Sequence, residues 1–94
     1  MKKKPIIAIP ADADDPDDFA VSEDAVNRAL MGRRIRKLRL GLGLSQTEFA
    51  DRYGIPVANI RQYEIGRTMP PSAVQAYLKV IEAEPERVAA AIAA

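Results

Sequence analysis

Apolar residues recur at helical spacing through most of the chain, from about residue 23 onward. In the first such stretch four of them lie three or four residues apart, at Met31, Ile35, Leu38 and Leu42. This spacing predicts a helix with one face in the core. Ser22 is a favourable N-cap for this helix, and we expect it to end near residue 40, before Gly41 and Gly43.

A second and a third helix are predicted between residues 45 and 66. Ser45 and Glu48 have the S-x-x-E spacing of a capping box at the start of the second helix. Gly54 supplies the turn, and Pro56 suits the first turn of the third helix because its missing amide hydrogen costs little there. Gly66 ends the third helix. The side chains expected to point inward are Leu44, Phe49, Ala50, Tyr53, Ile60 and Tyr63.

Two further helices are predicted in the last quarter of the chain. One begins near Ser72, and one begins after Pro85. The fourth helix directs Val74, Tyr77, Leu78 and Ile81 to one face, and the fifth repeats Val88 and Ile92 at i and i+4. Five helices with short connections and no convincing strand predict an all-α bundle.

Residues 1–22 have a different composition, rich in proline and aspartate. Their one apolar patch, at Ile6, Ile7 and Ile9, is too short to form a stable strand alone. The aspartates that follow cannot bury enough surface to fold. We therefore expect a flexible acidic arm over residues 1–22 and one folded domain over residues 23–94.

The formal net charge of +1 conceals a strong asymmetry along the chain. Residues 1–27 hold three lysines against seven acidic residues, whereas residues 28–67 hold nine basic residues against three acidic ones. A basic middle segment indicates a surface that attracts polyanions such as nucleic acid.

The absence of cysteine and histidine excludes several kinds of chemistry. Disulfides, thiolate zinc sites, cysteine nucleophiles and imidazole acid–base catalysis are not available to this chain. We expect no enzymatic activity, no metal and no cofactor. No stretch approaches the roughly 18 apolar residues of a membrane helix, and we expect a cytoplasmic protein with no membrane partner.

Several motifs in the basic segment together resemble the Cro/cI phage-repressor, or XRE-type, family of helix-turn-helix domains. They match in order and spacing over residues 33–82: Ile35-Arg36-x-Leu38-Arg39, Leu44-Ser45-Gln46-x-x-Phe49-Ala50, Gly54-Ile55 and Ile60-x-x-Tyr63-Glu64-x-Gly66. The resemblance implies a five-helix fold like that of lambda repressor. It also implies a sequence-specific DNA-binding transcriptional repressor.

The same resemblance assigns roles to individual residues. It implies that the third helix enters the major groove and that the side chains meeting DNA are Gln46, Val57, Ala58, Asn59, Arg61, Gln62, Arg67 and Thr68. Gln46 is expected at a phosphate, as are Arg67 and Thr68. Val57 stands where a polar residue is common in the family, and an apolar side chain there suits a thymine methyl group. Arg39 and Glu64 match the family's structural ion pair.

A single helix-turn-helix reads only a few base pairs, so we expect a homodimer on a palindromic operator. The surface expected to pair the two copies is formed by Ile81, Val88, Ala91 and Ile92. These residues belong to the two C-terminal helices. They are the apolar positions expected to remain once the core is covered.

The acidic arm and the C-terminal helices are similar to those of HigA-like antitoxins of type II toxin–antitoxin operons. That similarity implies repression of the chain's own operon and neutralisation of a small basic RelE/HigB-like ribonuclease toxin. The arm residues expected to contact the toxin are Ile6, Ile7, Ile9, Asp14, Asp15, Asp17, Asp18 and Phe19. Two alternatives stay open: a stand-alone phage-type or housekeeping XRE-family regulator, and an adaptor that keeps the fold without binding DNA.

Overall fold

Five helices make up the part of the chain that the computed structural model describes, residues 22–94. They are α1 (Glu23–Gly41), α2 (Gln46–Tyr53), α3 (Val57–Glu64), α4 (Ser72–Ala83) and α5 (Pro85–Ala93). No strand occurs within residues 22–94, so the predicted all-α, five-helix fold is confirmed. Residues 1–21 of the expected arm, which include all its expected toxin-contacting residues, lie outside the described residues.

The predicted helix ends depend on local capping, and the structure contains these caps. The Ser22 hydroxyl accepts a hydrogen bond from the Ala25 amide at 3.0 Å at the start of α1. At α2 the Ser45 hydroxyl accepts from the Glu48 amide at 3.0 Å, and the Glu48 carboxylate accepts from the Ser45 amide at 2.8 Å. This reciprocal pair satisfies two amides that the helix leaves without intrahelical acceptors. Gly54 is left-handed, with φ +71°, and turns the chain out of α2.

The start of α3 differs from the prediction by one residue. Pro56 is the N-cap rather than a residue of the first turn, and its carbonyl accepts from the Asn59 amide at 3.0 Å. Its carbonyl also accepts from the Ile60 amide at 3.2 Å. Val57, one of the residues expected to meet DNA, is therefore the first residue of α3.

Side chains from α1 to α4, with the connections on either side of α2, form the core. Phe49, Ile60 and Ile81 have no exposed surface, and the Phe49 and Tyr53 rings pack with their centroids 5.0 Å apart. The remaining buried apolar side chains are Ile35, Leu44, Ala50, Ile55, Tyr63 and Leu78. Met31, Leu38 and Leu42 pack against this core at its edge and are only partly buried.

A glycine allows α1 to approach α3 unusually closely. A Cβ atom placed on Gly32 would lie 2.6 Å from the carbonyl oxygens of both Tyr63 and Glu64. No real Cβ atom tolerates such a contact with backbone, so only glycine fits at this crossing. The close approach fixes the last turn of α3 against the middle of α1.

None of the five helices has the length and apolar character needed to span a membrane.

Candidate nucleic-acid interface

α2, the turn at Gly54 and α3 form a helix-turn-helix pair. The Ile55 amide donates to the Ala50 carbonyl at 3.1 Å, which holds the turn against the end of α2. Buried side chains from both helices lie between them, among them Phe49 and Ile60. The orientation of α3 is therefore set by the core and not by a mobile loop.

α3 divides into a buried face and an exposed face. Ile60 and Tyr63 are buried, whereas Ala58, Asn59 and Arg61 are exposed. The other two positions expected to contact DNA on this helix, Val57 and Gln62, are half-buried. All five therefore present surface to solvent on one short helix, as base-reading side chains must.

Arg67 and Thr68 follow directly after the end of α3, and both are exposed. Gly66, with φ +76°, reverses the chain just before them. Its amide donates to the Tyr63 carbonyl at 3.1 Å, and the Arg67 amide donates to the Gln62 carbonyl at 3.0 Å. The turn therefore places a cation and a hydroxyl beside the C-terminal end of the exposed face of α3.

Arg39 and Glu64 form a bidentate ion pair between α1 and the end of α3. The guanidinium nitrogens Nε and Nη2 lie 2.8 and 2.9 Å from the two carboxylate oxygens. A third nitrogen of Arg39 donates to the Leu44 carbonyl at 2.9 Å. The Arg39 side chain is 11% exposed and that of Glu64 is 5% exposed. The hydrogen bond to Glu64 raises the pKa of Arg39 despite the desolvation that burial brings.

Gln46 is joined to this ion pair. Its side-chain amide donates to Oε1 of Glu64 at 3.2 Å, and the residue is half-buried. The bond holds the Gln46 side chain near the end of α3. Its remaining amide hydrogen and its carbonyl oxygen are free of protein partners among the described residues. The structure thus brings one expected DNA-contacting residue together with the expected structural pair.

α1 makes two contacts with the end of α3 that the sequence did not reveal. The Arg28 guanidinium Nε donates to the Gly66 carbonyl at 3.0 Å, across 38 residues of sequence. Gly32 permits the close helix crossing described above. A glycine in the middle of an otherwise helical pattern was the only available signal for Gly32, and no local pattern indicates the Arg28 contact.

Two tyrosines connect α2 to the C-terminal helices. The Tyr77 hydroxyl of α4 donates to the Tyr53 carbonyl at 2.6 Å, and the Tyr53 hydroxyl donates to the Pro85 carbonyl at 3.1 Å. Burial raises the pKa of the Tyr77 hydroxyl, which favours the protonated form that donates this bond. α4 and α5 are consequently fixed to the back of the helix-turn-helix.

The expected dimer surface needs one correction. Ile81 has 0% exposure and belongs to the core, so the interpretation that it lies on the dimer surface was wrong. Because it is fully buried within one chain, it has no surface left for a second copy. Val88 is half-buried, whereas Ala91 and Ile92 are exposed, Ile92 to 46%. On α4 the neighbouring Val80 is 51% exposed.

Among residues 22–94 there is no cluster of three or more acidic side chains arranged to hold a metal ion.

Comparison with known proteins places this geometry in a family. A family model described as a helix-turn-helix domain matches residues 30–91, which include all of α2, α3 and α4. Neither the curated proteins nor the solved structures give a significant match. The matched residues contain the whole helix-turn-helix pair, together with α4 and parts of α1 and α5. The chain therefore belongs to the helix-turn-helix domain family, of the XRE/Cro-type class of DNA-binding regulators.

Proposed function

We propose that this chain is a transcriptional repressor that binds a palindromic operator through α3. The observation that carries the proposal is the exposed face of α3 on a helix whose other face is fixed by the core and by the Arg39–Glu64 pair. A recognition helix must be rigid because base-edge hydrogen bonds require accurate placement.

The side chains on this face suit the chemistry of base edges and phosphates. Arg61 is suited to guanine and Gln62 to adenine, and each good bidentate contact contributes about 1–3 kcal/mol of discrimination. Val57 and Ala58 offer apolar contact to a thymine methyl group, and Asn59 offers an amide. Contacts to phosphate fall to Gln46, Arg67 and Thr68, and these fix the position on DNA without reading sequence.

The repressor acts as a homodimer in this proposal. Two recognition helices related by a two-fold axis would meet half-sites about 34 Å apart on one side of the DNA. With Ile81 excluded, the apolar side chains available for the interface are Val80, Ala91 and Ile92, with Val88 at its edge. Small or aliphatic side chains on two adjacent helices are suited to such an isologous contact.

The finer proposal is that this repressor is the antitoxin of a type II toxin–antitoxin operon. Support comes from the charge of the chain, because the five aspartates between residues 12 and 18 are suited to a small basic ribonuclease of the RelE/HigB-like kind. Residues 6–19 would contact the toxin while α3 represses the operon. A stand-alone XRE-family regulator remains the alternative, since it needs only the helix-turn-helix.

Footprinting on the DNA upstream of the chain's own gene tests repression. We expect protection of two half-sites whose centres are about 10 base pairs apart, with two-fold symmetry. Loss of protection as salt rises would follow from the phosphate contacts. Protection that is independent of sequence, or no protection, would contradict the proposal.

Co-expression with the adjacent gene tests the antitoxin role separately. We expect a small basic protein to copurify with this chain and to lose its ribonuclease activity in the complex. The matched variant replaces the five aspartates by asparagine, and it should release the toxin while the operator footprint remains. An operator footprint without any such partner would favour the stand-alone regulator.

A further inference from the structure

An exposed strip of side chains runs along α1, and we call it the α1 strip. Its members repeat at alternating intervals of four and three residues, which places them on one helix face: Val26, Leu30, Arg33, Lys37 and Leu40. The three apolar members are 42%, 54% and 55% exposed in that order. The α1 strip is therefore apolar at both ends and basic in the middle.

The basic residues of α1 fall into two groups. Three are occupied, because Arg28 binds the Gly66 carbonyl, Arg34 pairs with Glu82 and Arg39 pairs with Glu64. The other three have no acidic partner within residues 22–94: Arg33, Arg36 and Lys37. Arg33 lies three residues before Arg36 and four residues before Lys37, and like charges at this spacing destabilise a helix. An anionic partner would therefore stabilise α1 as well as bind to it.

The segment just before α1 has the complementary pattern. Going backward from Ser22, the chain presents Phe19, then five aspartates between residues 18 and 12, then Ile9, Ile7 and Ile6. Going forward from Ser22, α1 presents Val26 and Leu30, then its free basic residues, then Leu40. In both directions from Ser22 the residues are apolar first, then charged, then apolar again. The charged residues are acidic in the preceding segment and basic in the α1 strip.

We propose that residues 6–19 fold back along α1 of the same chain and cover the α1 strip. The aspartates then neutralise Arg33, Arg36 and Lys37, while Phe19 and the isoleucines cover the apolar ends. A partner within the same chain is favoured because the connection at Ser22 gives an effective concentration on the order of millimolar.

Chain length permits this pairing without a gap. At 1.5 Å per residue, Arg33 and Lys37 lie about 16 and 22 Å along α1 from Ser22. An extended chain rises about 3.4 Å per residue, so Asp18 reaches about 14 Å and Asp12 about 34 Å from the same point. The aspartates therefore reach the basic part of the α1 strip. Ile9, within about 45 Å, reaches Leu40 at about 27 Å.

This contact is independent of the DNA-binding proposal, because none of the residues proposed to meet DNA belongs to the α1 strip. It predicts that residues 6–19 have two alternative positions. Without a basic partner protein they cover α1, and a partner of greater positive charge draws them away and leaves the α1 strip exposed. Binding of such a partner and uncovering of α1 are then linked.

Paramagnetic relaxation in the full-length protein tests the contact without DNA or any partner. The chain has no cysteine, so Ala13→Cys provides a single site for a nitroxide label among the aspartates. At low salt we expect loss of amide peak intensity for residues 30–40 of α1 and none for residues 86–93 of α5. The loss should disappear at about 0.5 M salt, where charges are screened within a few ångström.

Charge variants distinguish docking on the α1 strip from the simple proximity that the covalent connection at Ser22 imposes. Arg33→Glu with Lys37→Glu should abolish the intensity loss, as should replacement of the five aspartates by asparagine. The matched control is Lys79→Glu with Arg87→Glu, two exposed positions outside the α1 strip, and it should leave the loss unchanged. Circular dichroism checks that every variant keeps its helices.

Three outcomes would overturn the proposal. The first is an intensity loss confined to the first turn of α1, because an undirected tether produces that pattern. The second is a loss that survives the Arg33 and Lys37 charge reversal. The third is a loss that is as strong between a labelled chain and a separate ¹⁵N-labelled chain, which would assign the contact to a second copy.

Discussion

At the scale of single residues, the position of α3 depends on two contacts with α1. Gly32 removes the side chain that would separate the helices, and Arg39 forms an ion pair with Glu64 at the end of α3. The ion pair could be anticipated from sequence because both residues stand in the motifs of the resembled family. The role of Gly32 could not, because the carbonyl oxygens that it meets belong to residues more than 30 positions away.

Gly32→Ala should destabilise the fold. The new methyl group would meet two backbone oxygens at 2.6 Å, and overpacking of this kind costs about 1–3 kcal/mol. Gly41→Ala on the same helix is the control, because nothing lies within 4 Å of the added atom and alanine favours helix. Urea unfolding measures both. Equal free energies of unfolding for the two variants would contradict the close crossing.

Glu64→Ala should destabilise the protein far more than Glu82→Ala. Removing Glu64 leaves the buried Arg39 without its counter-charge, and such a loss costs about 3–5 kcal/mol. The Arg34–Glu82 pair is about half exposed at 53% and 50%, so Glu82→Ala should change the free energy of unfolding by about 0–1 kcal/mol. Similar losses in the two variants would show that the Arg39–Glu64 pair is not a buried ion pair.

At the scale of elements, helix ends were predictable and helix faces were less so. The caps at Ser22, Ser45 and Gly54 depend on residues only a few positions away, so the sequence contains the whole signal. Which apolar side chain of α4 is buried depends on packing with other elements. The expectation that Ile81 remains exposed after the core is covered is therefore wrong, and the exposed position is the neighbouring Val80.

The capping box of α2 should make stability depend on acid pH. The hydrogen bonds with the Ser45 amide and hydroxyl lower the pKa of Glu48 from its ordinary value of 4.5. Because the folded pKa is the lower one, the stabilisation is fully present above pH 4.5 and is lost as pH falls through the folded value. Glu48→Gln keeps a hydrogen-bonding side chain without the charge. The difference in Tm between wild type and this variant should shrink in acid, and a constant difference would contradict this origin.

At the scale of the whole molecule, the fold and the basic segment were predictable together. Helical periodicity, the caps and the order of motifs all indicate the same five-helix arrangement, and the structure contains it. The contacts that position side chains at the candidate DNA interface join residues far apart in sequence. The bond from Gln46 to Glu64 joins an expected phosphate contact to the structural pair, and no local pattern indicates it.

Ile92→Glu should convert the proposed dimer into a monomer. Ile92 is 46% exposed, so a charge there is tolerated in the folded chain but opposes burial at an apolar interface. Glu86→Lys at an exposed position of the same helix controls for altered surface charge. Analytical ultracentrifugation measures the mass. A dimer that persists in Ile92→Glu would place the interface elsewhere.

The proposed function depends most directly on whether the exposed face of α3 reads DNA sequence. The direct measurement is the ratio of Kd for a scrambled duplex to Kd for the chain's own upstream DNA, in wild type and in Arg61→Ala with Gln62→Ala. This ratio should fall at least about tenfold in the double variant, since each lost base contact removes about 1–3 kcal/mol of discrimination. Lys79→Ala with Arg87→Ala should leave it unchanged. An unchanged ratio in the Arg61 and Gln62 variant would show that these two side chains do not read DNA sequence.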